Sequence, residues 1–120
     1  IYVDGAHNPQ GIQSFVNSVN GMYADSTDKA ALLFSVVSDK NFEQMISILC
    51  GCKVFARIAI TVTGGIRHLD KEYISAAFKR HTDIEVYDSA KEAVLALKNE
   101  PMVFCTGSLY LVADIRKVLE

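Results

Sequence analysis

Apolar residues along the chain follow two patterns, short continuous runs and longer segments with helical spacing. The runs predict strands, because each is short, apolar and bounded by polar or glycine-containing turns. The predicted strands cover residues 1–4, 30–37, 58–63, 84–87 and 102–105. The helical spacing predicts helices at residues 9–23, 42–51, 70–78, 90–97 and 107–119. Residues 54–57 fit either a loop or the beginning of the third strand.

Strands that alternate with helices indicate a parallel sheet with right-handed crossovers. We therefore predict one α/β domain over residues 1–120, a Rossmann-like three-layer α/β/α fold with a mainly parallel five-stranded sheet. The run at 30–37 is apolar almost throughout, as expected of a strand covered on both faces, whereas 84–87 alternates like an edge strand. The sequence contains no internal repeat and no candidate domain boundary.

Composition narrows the classes of function. A formal net charge of −2 gives no basic surface for nucleic acid, and the sequence shows neither a membrane span nor a signal peptide. Cys50, Cys52 and Cys105 lack a CxxC spacing, and we expect reduced thiols in a cytoplasmic protein. Because the sequence begins directly on a strand without Met, we expect it to be a fragment of a longer protein.

Polar residues with chemical potential follow the predicted strands at their carboxyl ends. In parallel sheets these ends meet at one edge, where α/β proteins bind ligands. Asn8-Pro9 also predicts a helix start, whose free N–H groups suit an anion. The candidates are Asp4, His7 and Asn8 after the first strand, Lys40 after the second, Arg67 after the third, and Ser108 and Tyr110 after the fifth. The sequence has no P-loop, no GxGxxG and no metal-ligand spacing.

Two motifs carry a family resemblance. DGAHNP, at residues 4–9, resembles a signature of the C-terminal domain of folylpolyglutamate synthases and dihydrofolate synthases, which belong to the Mur ligase superfamily. TGSLYLV, at residues 106–112, resembles the closing GS(L/F)Y motif of the same family, and the resemblance spans essentially the whole chain. It implies the strand order 1-5-2-3-4, which would place the loops that carry the two motifs side by side.

The resemblance also implies a reaction, the ATP-dependent formation of an amide by a longer parent protein. ATP phosphorylates a carboxylate of folate or dihydropteroate, and the amino group of L-glutamate attacks the acyl phosphate. A central ATPase domain outside this chain would bind most of the ATP and Mg²⁺, so the fragment alone is expected to be inactive. On the ATP side, Asp4 would contact the ribose or order the loop, and His7 would stabilise the phosphates and the acyl phosphate. Asn8 would be a third ATP-binding residue.

For the incoming glutamate, the resemblance implies Lys40 and Ser108 as binding residues, with Arg67 and Tyr110 as further candidates. Four of the candidate residues also have simpler interpretations. Lys40 fits a solvated surface lysine, Ser108 a helix N-cap, and Tyr110 a packing residue, while Asp4 fits an acceptor of hydrogen bonds within a turn.

Two alternatives remain open at this point. The chain fits the C-terminal domain of another Mur-superfamily ligase, of the peptidoglycan or cyanophycin type, which would share the fold and differ in its acceptor. It also fits a non-catalytic α/β module that binds a nucleotide or a metabolite.

Overall fold

The computed structural model describes residues 2–6, 8–35, 42–61, 76, 84–87, 89–107 and 115–117. The elements in chain order are β1 (Tyr2–Val3), α1 (Pro9–Met22), β2 (Ala30–Phe34), α2 (Phe42–Cys50), β3 (Phe55–Thr61), β4 (Glu85–Tyr87), α3 (Ala90–Leu97) and β5 (Val103–Thr106). Ala76 and residues 115–117 are also helical. Most of the helices predicted at 70–78 and 107–119 lie outside the described residues.

The five strands form one sheet in the order β1-β5-β2-β3-β4, and every neighbouring pair is parallel. The predicted fold class and strand order are therefore confirmed. β4 lies at an edge, as its alternation predicts. β2 is the central strand, and all five of its residues are buried, as expected of a strand covered on both faces.

Helices cover the two faces of the sheet separately. One face packs against α1 and α2, and Phe104 of β5 is wholly buried there. Its ring centroid lies 5.9 Å from that of Phe15 and 6.0 Å from that of Phe55, distances typical of favourable aromatic pairs. The other face packs against α3 and Ile115. The helices that follow β1 and β2 therefore lie on one face of the sheet, and the helix that follows β4 lies on the other.

Side-chain caps define two of the helix starts. Asn8 is the N-cap of α1, where its Oδ1 accepts a hydrogen bond from the Gly11 N–H at 2.7 Å, and Pro follows it in the first turn. Ser89 caps α3 and accepts from the Glu92 N–H at 3.1 Å. The Asn8-Pro9 helix start is confirmed as predicted from sequence.

The third strand begins earlier than the continuous apolar run at 58–63 indicates. Residues 55–57 belong to β3, and a register shift sets Ala30 opposite Phe55 but Ala31 opposite Arg57. Ala56 is thus an extra residue, as in a β-bulge, which breaks the alternation of the side chains. The loop interpretation of residues 55–57 is wrong for this reason.

Arg57 connects three elements at the amino edge of the sheet. Its guanidinium forms two hydrogen bonds to the Glu85 carboxylate, at 2.6 and 2.7 Å, and one to Glu100 at 3.0 Å. The hydroxyl of Tyr87 also donates to Glu85. These bonds, from Arg57 first, lower the pKa of Glu85 to about 2, and the bond to Glu85 raises the pKa of Tyr87. The group therefore fixes the edge strand β4 to β3 and to the turn after α3.

Candidate functional site

The loops that follow β1 and β5 are hydrogen-bonded to each other at the carboxyl edge of the sheet. The Gly107 N–H donates to the carbonyl of Ala6 at 3.0 Å, and the Thr106 hydroxyl donates to the same oxygen at 3.4 Å. The Asp4 N–H donates to the carbonyl of Cys105 at 2.9 Å. The two motifs therefore begin side by side, as the strand order implies.

Asp4 orders the turn that leaves β1. Its Oδ1 accepts a hydrogen bond from the Ala6 N–H at 2.8 Å, and the side chain is half-buried. An Asp that accepts from the backbone two residues later is a common turn device. The structure thus supports the turn-ordering interpretation of Asp4, and this turn sets the position of the Ala6 carbonyl that the β5 loop binds.

The first turn of α1 packs closely against Ala6 and Asn8. Asn8 Oδ1 is engaged in the helix cap, so its amide nitrogen is the polar atom that the cap does not use. A Cβ on Gly11 would lie 3.2 Å from Asn8 Oδ1 and 3.4 Å from the Cβ of Ala6. Glycine at this position lets the first turn of α1 approach the β1 loop closely.

Gly107 allows the loops after β5 and β2 to meet. Its φ is +116°, and a Cβ at this position would lie 1.9 Å from the carbonyl oxygen of Ser35 and 2.8 Å from the ring of Phe34. Both the backbone conformation and the space require glycine here. Because the Ser35 N–H also donates to the Thr106 carbonyl at 3.3 Å, three loops converge at this point.

The element that follows β5 packs on the opposite face of the sheet from the helices that follow its two neighbours, β1 and β2. α1 and α2, which follow β1 and β2, pack on one face, whereas Ile115, which follows β5, packs with α3 on the other. Strand ends whose connections diverge in this way form the crevice where α/β sheets bind ligands. By this rule, ligand crevices are expected on both sides of β5, one beside β1 and one beside β2.

Of the predicted site residues, Asp4 and Asn8 are described and lie on the loop next to Gly107. The other five lie outside the described residues, namely His7, Lys40, Arg67, Ser108 and Tyr110. Their predicted roles remain predictions. Ser35 is not among the residues singled out from the sequence, and Gly107 is noted there only as part of the closing motif and as a helix start. A polar residue inside the apolar run 30–37 is the signal that marks Ser35.

The cysteines pack as apolar residues in this fold. All three are free, and Cys52 and Cys105 are buried. Burial raises the pKa of the Cys50 thiol to about 11 and that of Cys105 to about 12, so both are protonated at neutral pH. Within the described ranges, no group of three His, Cys, Asp or Glu side chains is arranged to hold a metal. Nor does that part of the chain contain a helix long and apolar enough to cross a membrane.

Known proteins are similar to this chain both in sequence and in fold. The chain is 24% identical to the dihydrofolate synthase/folylpolyglutamate synthase of Bacillus subtilis over 100% of its own length and 28% of that protein. It superimposes on the crystal structure of a folylpolyglutamate synthase from Thermotoga maritima with a TM-score of 0.81 and 30% identity, over 97% of this chain and 26% of that one. A Mycobacterium tuberculosis folylpolyglutamate synthase, complexed with ADP and AMPPCP, shares the fold at a TM-score of 0.78 and 22% identity, over 97% of this chain and 29% of that one.

The chain therefore spans between a quarter and a third of the length of these relatives. Residues 1–109 also match the protein family described as the glutamate ligase domain of Mur ligases. That match covers the DGAHNP motif and the first four residues of the TGSLYLV motif. On this evidence, the chain belongs to the Mur ligase glutamate ligase domain family.

Proposed function

We propose that the chain is the glutamate-binding domain of an ATP-dependent folylpolyglutamate synthase, with or without dihydrofolate synthase activity. The observation that carries the proposal is the hydrogen bond between the Gly107 N–H and the Ala6 carbonyl. It joins the loops of the DGAHNP and TGSLY motifs at a crevice between diverging connections. The Bacillus subtilis and Thermotoga maritima relatives are synthases of this kind.

The proposed reaction forms an amide in two steps. ATP transfers its terminal phosphoryl group to a carboxylate of folate or dihydropteroate, which gives an acyl phosphate and ADP. The amino group of L-glutamate then attacks the acyl carbon, and phosphate leaves as the amide forms. In this scheme the domain holds L-glutamate, excludes water and orients the amine, which favours attack by the amine over hydrolysis.

The residues divide between the two ligands. Asp4, His7 and Asn8 would lie on the ATP side, where the positive end of α1 and the His7 side chain favour phosphate oxygens. On the glutamate side, the binding residues would be Lys40 and Ser108, with Arg67 and Tyr110 as further candidates.

The proposed reaction uses Mg²⁺ together with ATP. As the family resemblance implies, Mg²⁺ would be held with ATP mainly by the central ATPase domain of the complete synthase, where it would neutralise phosphate charge.

The test is an assay of the complete protein that carries this chain, with ATP, Mg²⁺, L-glutamate and either folate or dihydropteroate. We expect ADP to form only when both L-glutamate and a folate-type acceptor are present, and mass spectrometry to detect the glutamylated product. Turnover with a nucleotide-linked muramyl acceptor instead would assign the chain to a peptidoglycan-type ligase. Nucleotide binding without turnover on any acceptor would support the non-catalytic module. Turnover by the 120-residue chain alone would contradict the proposed division between domains.

Substitution of His7 tests the electrostatic role directly. In the complete synthase, His7→Ala removes the imidazole from the ATP side of the crevice, and we expect kcat to fall by roughly 10²–10³-fold, the loss typical of one charge-stabilising group. Because the proposed role is in catalysis and not in packing, the melting temperature should stay within about 2 °C of wild type. An unchanged kcat, or a large loss of stability, would reject the role.

A further inference from the structure

Ser35 is a buried polar residue that the fold itself does not explain. It follows β2, the side chain is 1% exposed, and its hydroxyl has no hydrogen-bond partner within the described structure. A buried hydroxyl without a partner lowers stability, and alanine would fill the same space without that cost. Folding alone therefore does not account for a serine at this position.

The position of Ser35 coincides with a ligand crevice of the fold. It lies between the ends of β2 and β5, where the connection from β2 leads to α2 on one face and the connection from β5 leads to Ile115 on the other. Its backbone N–H already donates to Thr106, so the hydroxyl is the part of the residue that remains available.

Ser35 and Thr106, which are neighbours at this edge, use their hydroxyls differently. Thr106 and Ser35 are both buried, but the Thr106 hydroxyl donates to the Ala6 carbonyl. The neighbour of Ser35 on the β5 side is Gly107, whose φ of +116° only glycine adopts readily. A glycine at the contact lets the β5 loop change conformation over Ser35 at low cost, which would open the hydroxyl to a ligand.

We propose that Ser35 is a further substrate-binding residue of this domain. When the substrate enters the crevice between β2 and β5, the Ser35 hydroxyl donates a hydrogen bond to an anionic oxygen, either a carboxylate of L-glutamate or a phosphate of ATP. The inference rests on the proposed function, since it takes its ligands from that reaction. It adds a donor directly after β2 to the candidates named from the sequence.

The test is Ser35→Ala in the complete synthase, with KM measured separately for L-glutamate and for ATP. We expect one of the two KM values to rise by roughly tenfold, because one hydrogen bond to a charged oxygen is lost. The melting temperature without ligand should be unchanged or higher, since the hydroxyl is unpartnered in that state. Ser18→Ala, at an exposed position on α1, should change neither quantity. Thr106→Val, which removes a partnered hydroxyl, should lower the melting temperature.

The two KM values show which substrate the Ser35 hydroxyl binds. A rise in the KM for L-glutamate assigns the carboxylate, and a rise in the KM for ATP assigns the phosphate. Unchanged values for both substrates would overturn the inference, and so would a fall in melting temperature like that of Thr106→Val without a change in KM. If the wild-type protein has no ligase turnover, the proposed function fails instead. Calorimetric Kd values of L-glutamate and ATP for wild type and Ser35→Ala then test the inference, and equal values overturn it.

Discussion

Replacing Gly107 with alanine tests whether the loops after β5 and β2 meet as closely as the structure shows. The new Cβ would lie 1.9 Å from the Ser35 carbonyl oxygen, a contact that requires backbone movement. It would also hold an L residue at a φ of +116°. Gly107→Ala should therefore destabilise the fold and disturb the hydrogen bond to the Ala6 carbonyl.

The magnitude follows from two costs. A non-glycine residue in such a backbone conformation costs about 1–3 kcal/mol, and forcing extra volume into a packed site costs about 1–3 kcal/mol. Because the two are relieved by one movement, we expect a total loss of about 2–5 kcal/mol. At about 4 °C per kcal/mol for a chain of this size, the melting temperature should fall by about 8–20 °C.

The assay is thermal and urea unfolding of the 120-residue chain, with Gly21→Ala as the matched control. Gly21 is the penultimate residue of α1, and nothing lies within 4 Å of a Cβ built on it. Alanine there should stabilise the chain by about 0.5–1 kcal/mol, because it favours the helix. The close approach of the loops would be refuted if Gly107→Ala had the same melting temperature as wild type. It would also be refuted if Gly21→Ala lost more stability than Gly107→Ala.

Two further predictions concern the ends of the sheet. Asn8→Ala removes the N-cap of α1 and should lower the free energy of unfolding, measured in urea, by about 1 kcal/mol. Asn17→Ala, at an exposed position within α1, should lower it by less than half as much. Equal losses would contradict the capping role. Glu85→Gln should lower stability by about 1 kcal/mol at pH 7, a modest value because Arg57 and Glu85 are each about one-third exposed. The folded-state pKa of Glu85 is depressed to about 2, so the wild-type advantage should be complete above pH 4.5 and vanish as the pH falls toward 2. A difference independent of pH between 2 and 7 would contradict the ion pair.

The elements could be predicted from sequence because their signals are local. The Asn8-Pro9 start of α1 depends on two adjacent residues, and the burial of β2 on a continuous apolar run. The strand order, in contrast, has no local signal in the sequence. It depends on contacts such as Tyr2 with Phe104, which are distant in sequence, so only the family resemblance indicated it.

What the sequence did not reveal depends on pairs of distant residues. The bulge at Ala56 arises from the register of β3 against β2, and it obscured the start of β3. The partners of Arg57 lie on two other elements, and the requirement for glycine at 107 comes from the carbonyl of Ser35. Such long-range contacts leave no periodic signal, whereas motif residues such as Asp4 and Asn8 were found because their neighbours in sequence identify them.

We propose that the β1 and β5 loops together form the substrate crevice. The most direct test is a crystal structure of the complete protein with ADP and L-glutamate. We expect one or both ligands to contact the loop of residues 4–8 and the loop of residues 106–110. The Gly107 N–H should stay within hydrogen-bond distance of the Ala6 carbonyl, from which it lies 3.0 Å in the present structure. Ligands bound at the amino edge beside Arg57, or the two loops separated in the ligand-bound protein, would contradict it.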